Sequence, residues 1–303
     1  MKKSPPIKLG VEVEKALRVR RPLVALESTV IAHGLPTPLN LETAGRLEQI
    51  VRDARATPAT IAVLNGELCV GLDEKQIEII ATGDDIKKIS TRDLPVARAR
   101  KWNAATTVAS TIWIAQRAGI EIFATGGIGG VHRGAVPDVS ADLPELARTP
   151  LTVVCSGAKI VLDLTATREW LETYGITVVG YQCDELPAFY SRRSGLPIDA
   201  RADSPDGVIK IIKAQRELGI TAALLVAVPV PEAAEVPSQL LEQVLRRSLQ
   251  EADQNQIVGR EVTPFLLARM SEASNGATLK ANIALLENNA RVAAQIAVAA
   301  FPS

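Results

Sequence analysis

Residues 120–135, IEIFATGGIGGVHRGA, and residues 151–159, LTVVCSGAK, decide the reading of this chain, because each starts as a short apolar strand and ends in a glycine-bearing turn. Apolar runs of this length without alternation suit strands buried on both faces, and such strands need cover above and below the sheet. The second turn ends in Lys159. On a close-packed turn beside a strand end, a lysine can be partly desolvated. That disfavours the ammonium and makes the free amine a nucleophile toward a carbonyl or a sugar anomeric carbon.

Outward from these two stretches, strand-like and helix-like segments alternate. The run VALEST (24–29) reads as a first strand, and Asn40 caps a helix that continues to about Arg55 through Leu41, Ala44, Leu47 and Val51. Asn65-Gly66 within 59–72 signals a hairpin, so part of the sheet is antiparallel. A short helix covers 74–81, Asp93 opens another, and 105–118 is helical up to Gly119, which ends it before a strand at 120–126. Helix 162–174 ends at Gly175 before ITVVGY (176–181), Ser204-Pro205 starts a helix that closes at Gly219, and a buried strand follows at 221–228. The last quarter is helical over 238–252, 264–274 and 279–299. With no linker-like shift in composition, this pattern predicts one domain, residues 1–303. Its fold class is α/β, a three-layer α/β/α sandwich around a large mixed β-sheet.

Composition narrows the function. The chain has 303 residues, 47% of them hydrophobic and 22% charged, so a large core forms without staples. Lysine plus arginine balances aspartate plus glutamate at 34 each, so no global field draws the chain to a nucleic acid polymer or a membrane surface, and any phosphate site is local. Cys69, Cys155 and Cys183 are far apart and in no metal-type spacing, as expected of reduced thiols in a cytoplasmic protein. The start, MKKSPPIKLGVEVEKAL, lacks an apolar signal core, and no apolar run approaches the roughly 18 residues that span a bilayer.

Five features can carry chemistry. Glu27 interrupts an apolar strand; buried and unpaired it would hold a raised pKa suited to a general acid, although bonds to backbone amides or an arginine would make it structural. The turn TGGIGGVHRGA can cradle an anion on backbone amides, helped by His132 and Arg133, or its glycines can serve tight packing alone. In DVSADL (138–143), Asp138 and Asp142 suit a hard cation such as Mg²⁺ or Mn²⁺, while Asp142 alternatively caps the helix that Pro144 begins. Lys88, with Ser90, Thr91 and Arg92, forms either a phosphate site or a solvated basic turn. Asn282 lies one turn into the last helix, where it can cap, face solvent or reach into a site.

The runs VALESTVIAHGLPTP, PATIAVLNGELCVGL, STRDLP, ATTVASTI, FATGGIGGVHRGA, DVSADL, TVVCSGAK, GYQ, TPFLLAR and LKANIALLENNA, in this order and across nearly the whole chain, closely resemble the pseudouridine-5'-phosphate glycosidase family, also called the indigoidine synthase A-like family. The resemblance implies reversible cleavage of the carbon-carbon glycosidic bond of a small-molecule nucleotide, pseudouridine 5'-phosphate, to uracil and ribose 5-phosphate. It also implies a divalent cation, typically Mn²⁺, and a homotrimer. By motif, the nucleophilic lysine falls on Lys159, the proton-donating glutamate on Glu27 and the metal-binding aspartate on Asp138. The substrate-binding positions fall on Lys88, Val108, Ser140, Ala141, Asp142 and Asn282, with His132 beside them. The chain departs from the family pattern at two places. Only Val136 and Pro137 separate Ala135 from Asp138, where the pattern is longer and has an aromatic before the aspartate, and Val228 stands where asparagine is common. A Schiff-base lyase or aldolase acting on another sugar phosphate would use the same lysine, acid and phosphate site, and a phosphosugar-binding module would bind without turnover.

Overall fold

The computed structural model of the chain describes residues 6–133, 138–257, 259 and 262–301. The end of the first glycine turn (134–135) and the short interval before Asp138 therefore lie outside the described residues. In chain order the strands are β1 (Ile7–Leu9), β2 (Leu23–Glu27), β3 (Thr57–Leu64), β4 (Glu67–Val70), β5 (Lys87–Ile89), β6 (Ala104–Thr106) and β7 (Ile122–Ala124). They continue with β8 (Val131–His132), β9 (Thr152–Cys155), β10 (Leu162–Asp163), β11 (Thr177–Tyr181), β12 (Ala200–Ala202) and β13 (Leu224–Ala227). Among the described residues, 11 of these form one sheet in the order β1-β4-β3-β2-β7-β9-β13-β11-β12, with β6 attached to β3 and β5 to β6.

The sheet is mixed, as the hairpin signal requires. Leu64 lies opposite Glu67 across an antiparallel β3/β4 pair, and Asn65 (φ 48°) and Gly66 (φ 76°) take the left-handed conformations of a two-residue turn. Every residue of β2, β7, β9 and β13 is buried. Helix Ala277–Ala299 packs on β2, β7 and β9, helix Val108–Arg117 packs on β2 and β3, and with both faces of β2 covered the layers form an α/β sandwich. Alanines 281, 290, 293, 294 and 297 of the long C-terminal helix are buried, which lets it approach the strands closely.

Two features of the topology place the site. After β2 the chain crosses through helix Leu39–Asp53 to β3 on one side, whereas β7 joins β2 on the other, so the direction of winding reverses between β2 and β7. In open α/β sheets, ligands bind in the crevice beyond the carboxyl ends of the strands at such a reversal. In addition β2 stops early. Its pairing with β3 runs from Leu23 and Thr57 to Glu27 and Ile61, and β6 takes over the same edge at Ala62 and Val63. Buried hydroxyls seal this change of partner. Ser28 Oγ donates to Ile61 O (2.7 Å) and accepts from Thr106 N (2.9 Å), and Thr106 Oγ1 also donates to Ile61 O (2.8 Å).

Three local expectations are corrected. Residues 104–106 are strand, not the start of a helix, because β3 beyond β2 has backbone groups that need a partner; the helix starts at Val108. Asn40 sits inside its helix, and its side-chain amide instead donates to Ile31 O (3.0 Å) and Ala81 O (2.9 Å). Asp93 caps no helix with its side chain but accepts from the Ser90 amide (2.9 Å) in a capping box.

Candidate active site

The two glycine turns of the opening sequences leave adjacent parallel strands, β7 and β9, and are hydrogen-bonded to one another. Ser156 N donates to Gly126 O (2.8 Å), Ile128 N to Gly157 O (3.0 Å) and Lys159 N to Ile128 O (3.1 Å). Gly157 takes φ 81°, and a Cβ there would lie 2.2 Å from the Pro187 carbonyl oxygen, so both conformation and space demand glycine. Asn289, buried on the C-terminal helix, locks the pair: its amide donates to Thr125 O (2.9 Å) and Ser156 Oγ (3.1 Å). Lys159 therefore leaves a rigid turn beside the end of β9, facing a cavity that Glu27 also lines from the end of β2.

Glu27 is 6% exposed. Burial pushes its carboxyl pKa up; the charge of Lys159, the Thr125 hydroxyl that donates to Oε1, and Lys88 pull it back, and Asp142 adds to the rise. The raised direction keeps a proton on the carboxyl beyond the ordinary carboxylate range, as a general acid needs. Cys155, at the end of β9, offers no competing nucleophile: burial pushes its thiol up to about 12.

The cavity has two lobes. Glu27, Thr29, Lys88, Lys159 and Thr263 line both and ring the neck between them. One lobe is mainly apolar, walled by Val30, Phe189, Pro264, Leu267 and Leu286, with Asn282 as a polar group. The other is polar and bounded by Lys88, Ser90, Arg92, His132 and the 138–142 turn. Lys88 on β5 thus lies in the site rather than on a solvated basic turn. Asn282 is buried in the last helix and faces the apolar lobe.

The remaining sequence-derived residues fall around the polar lobe in different ways. His132, half-buried on β8, is held toward its neutral form, chiefly by burial and also by Lys88 and Lys159, against the opposing charge of Asp138. Asp138 is exposed at the lobe, and its carbonyl accepts from His132 N (2.8 Å). Ser140 and Ala141 form the turn before helix Asp142–Leu146. Asp142 does not cap that helix; its carboxylate is spent on the amides of Ala109 (2.8 Å) and Gly129 (2.8 Å). It ties the first glycine turn to the start of helix Val108–Arg117. The Val108 side chain is buried, so any ligand contact from it would be made by backbone at the helix N-terminus, where an anion is favoured. Among the described residues, no three His, Cys, Asp or Glu side chains gather as a metal cage.

Sequence reasoning passed over Thr125, Thr29, Phe189 and Asn289. For the two threonines a signal existed, since each sits within two residues of a strand end already singled out. Phe189 and Asn289 reach the site only through folding.

With this arrangement in view, likeness to known proteins becomes specific. The family model for indigoidine synthase A like protein matches residues 12–299. The chain belongs to that family. It is 50% identical over 294 residues to the pseudouridine-5'-phosphate glycosidase of Caldanaerobacter subterraneus subsp. tengcongensis, covering 96% of each chain. With the protein of the same name from Petrotoga mobilis the identity is 46%, covering 98% of each. Among solved structures, it matches the indigoidine synthase A-like protein of Thermotoga maritima with a TM-score of 0.89 at 39% identity, over 98% of this chain and 97% of that one. It matches the prealnumycin C-glycosynthase AlnA, solved in complex with ribulose 5-phosphate, with a TM-score of 0.90 at 40% identity, over 98% of each. These two relatives keep the fold end to end; in this chain Glu27 ends β2 at the topological reversal, and Lys159 lies on the turn after β9, bonded to the turn that follows β7.

Proposed function

We propose that this chain is a pseudouridine-5'-phosphate glycosidase, cleaving the carbon-carbon bond between uracil and ribose 5-phosphate reversibly, with Lys159 as nucleophile and Glu27 as acid. The observation that carries the reading is the meeting of a buried carboxyl, whose pKa burial raises, and a lysine at the neck of one two-lobed cavity. Near-full-length likeness to proteins of that name supports it. A nucleotide would lie with its base in the apolar lobe near Asn282 and its phosphate in the polar lobe near Lys88, the 138–142 turn and the Val108 helix N-terminus, which puts the sugar at the neck.

Uracil is joined through carbon, so protonating a leaving nitrogen cannot release it. Glu27 gives its proton to the ribose ring oxygen as the bond from that oxygen to C1' breaks, with electrons of the uracil ring supplying a double bond to C1'. The Lys159 amine then adds to C1', the double bond's electrons returning to the uracil ring, and the nitrogen gives up a proton to the Glu27 carboxylate. The bond from C1' to uracil breaks with its electron pair going to the base, which takes up a proton, and a lysine–sugar imine remains. Water hydrolyses the imine to ribose 5-phosphate and regenerates the amine.

Asp138 is the metal-binding residue of this proposal. An exposed carboxylate beside the polar lobe fits a hard ion such as Mn²⁺ that keeps most of its waters. When bound, such an ion would offset phosphate charge and help orient the sugar. The proposal also includes a homotrimer working in the cytoplasm; among the described residues no helix is long and apolar enough to cross a membrane.

The test is release of uracil and ribose 5-phosphate from pseudouridine 5'-phosphate, with Mn²⁺ and with a chelator. Release that requires the metal is the expected result, and no release in either condition overturns the reading. Lys159→Ala should lower turnover by at least about 10³-fold while still binding the nucleotide. Borohydride should trap a sugar on Lys159 in the wild type, detectable by peptide mass spectrometry.

A further inference from the structure

The polar lobe has two walls of different construction. One runs from β5 into the 3-10 turn Thr91–Asp93 and presents Lys88, Ser90 and Arg92; the other is the 138–142 turn, which leads into helix Asp142–Leu146. Lys88 stands on a strand paired with β6, and the end of that strand is fixed where Ile89 O accepts from Ser110 Oγ (2.9 Å) and Thr107 N (3.1 Å). Beyond Ile89 the pairing stops. The Ser90 amide donates to the Asp93 carboxylate (2.9 Å) and the Asp93 amide to Ser90 O (3.0 Å), bonds that shape the turn without placing it in the lobe.

Thr91 provides a tie of another kind. Its neighbours Ser90 and Arg92 line the lobe, whereas the Thr91 hydroxyl donates to Glu145 Oε2 (3.0 Å), 54 residues further along. Glu145 is 1% exposed and belongs to the short helix that continues the opposite wall. A carboxylate so deep needs several donors, and it has them: Thr149 Oγ1 reaches Oε1 (2.7 Å) and Arg148 Nε reaches Oε2 (3.0 Å). This helix is therefore anchored by two carboxylates. Asp142 holds it to the amides of Ala109 and Gly129, and Glu145 holds it to Thr91. The Thr91–Glu145 bond joins one wall of the lobe to the other, and its ionised acceptor makes it stronger than a bond between neutral groups.

We infer that Thr91 and Glu145 are positioning residues for phosphate recognition: their hydrogen bond sets the span between Ser90 and Arg92 on one wall and the 138–142 turn on the other. The inference rests on the reading above, which puts the 5'-phosphate in this lobe. The tie acts through the wall residues, and it takes no part in the chemistry at the neck. Breaking it should therefore weaken the hold on the phosphate and leave the bond-breaking steps at Lys159 and Glu27 nearly as fast.

The experiment compares the wild type with Thr91→Val and Thr91→Ser. Valine keeps the shape of threonine without the donor, and Glu145 retains Arg148 and Thr149. Binding of ribose 5-phosphate is measured by calorimetry, and KM and kcat are measured with pseudouridine 5'-phosphate. Thr91→Val should weaken ribose 5-phosphate binding and raise KM by about threefold to thirtyfold, with kcat changed by less than about twofold, and Thr91→Ser should restore most of the loss. Four results overturn the assignment: unchanged binding in Thr91→Val, which would make the bond purely structural even if the melting temperature falls; a loss carried mainly by kcat; no recovery in Thr91→Ser; or no binding of ribose 5-phosphate by the wild type. Uracil release by the wild type is scored separately. Sugar-phosphate binding that depends on the Thr91 hydroxyl, without uracil release, would refute the glycosidase reading and leave this one standing.

Discussion

Glu27 and Asp142 are two carboxylates of one cavity, 6% and 5% exposed, yet the fold treats them in opposite ways. Asp142 accepts from two backbone amides, at 2.8 Å each, and so joins two segments of chain. Glu27 accepts from one side-chain hydroxyl, Thr125, and although the charges of Lys159 and Lys88 also oppose the cost of burial, burial outweighs them and raises its pKa. Burial is thus nearly the same in both cases, and what differs is how many fixed donors reach the carboxyl oxygens. A carboxylate held by amides holds structure in turn; one with fewer donors has a raised pKa, which suits the acid role proposed for Glu27.

The same oxygen-to-amide change made at both positions is the sharpest way to break this comparison. Glu27→Gln should lower turnover roughly 10² to 10⁴-fold, because the proton donor is gone, while leaving the fold at least as stable. Asp142→Asn should do the reverse first: its new NH₂ would face a backbone N–H, costing about 2 to 3 kcal/mol, read as a lowered denaturation midpoint. Equal losses of stability in the two variants would dissolve the distinction.

The pH dependence of stability gives a finer test. Since the folded state holds the Glu27 proton more tightly than the unfolded chain, stability falls as pH rises from the ordinary value of 4.5 through the raised folded value, and above it the penalty is fully present. Glutamine cannot ionise. The advantage of Glu27→Gln over the wild type should therefore grow from acid to neutral pH in denaturant titrations, and a constant difference would argue against a proton-retaining Glu27.

The smallest effect is expected from Thr125→Val. Losing the hydroxyl that favours the ionised form moves the Glu27 pKa further up, so the alkaline fall of the kcat profile should shift to higher pH with only about a threefold to tenfold change in rate at its maximum. A shift to lower pH would mean that Thr125 does not support the ionised form.

Much of this was legible in the residues. The hairpin at Asn65-Gly66, the strand leading to each glycine turn, and the chemistry of Glu27 and Lys159 rest on patterns a few residues long, which local sterics and desolvation control. The helix-cap reading of Asp142 fails because its carboxylate accepts instead from the amide of Ala109, 33 residues away. A helix beginning at 105 fails for the same reason: alanines and threonines suit either state, and only the unpaired edge of β3 beyond the end of β2 selects strand for Ala104–Thr106.

What the sequence determined by itself is the set of elements, the glycine turns that permit close approach, and a lysine and a glutamate with the right chemistry. Tertiary structure decided which charges are satisfied and which are not. Thr125 reaches Glu27 across 98 residues, and Asn289 reaches the two turns from the last helix. A pKa depends on every group within a few ångströms of the carboxyl, and the chain brings those groups together only by winding one way from β2 to β3 and the other way from β7 onward.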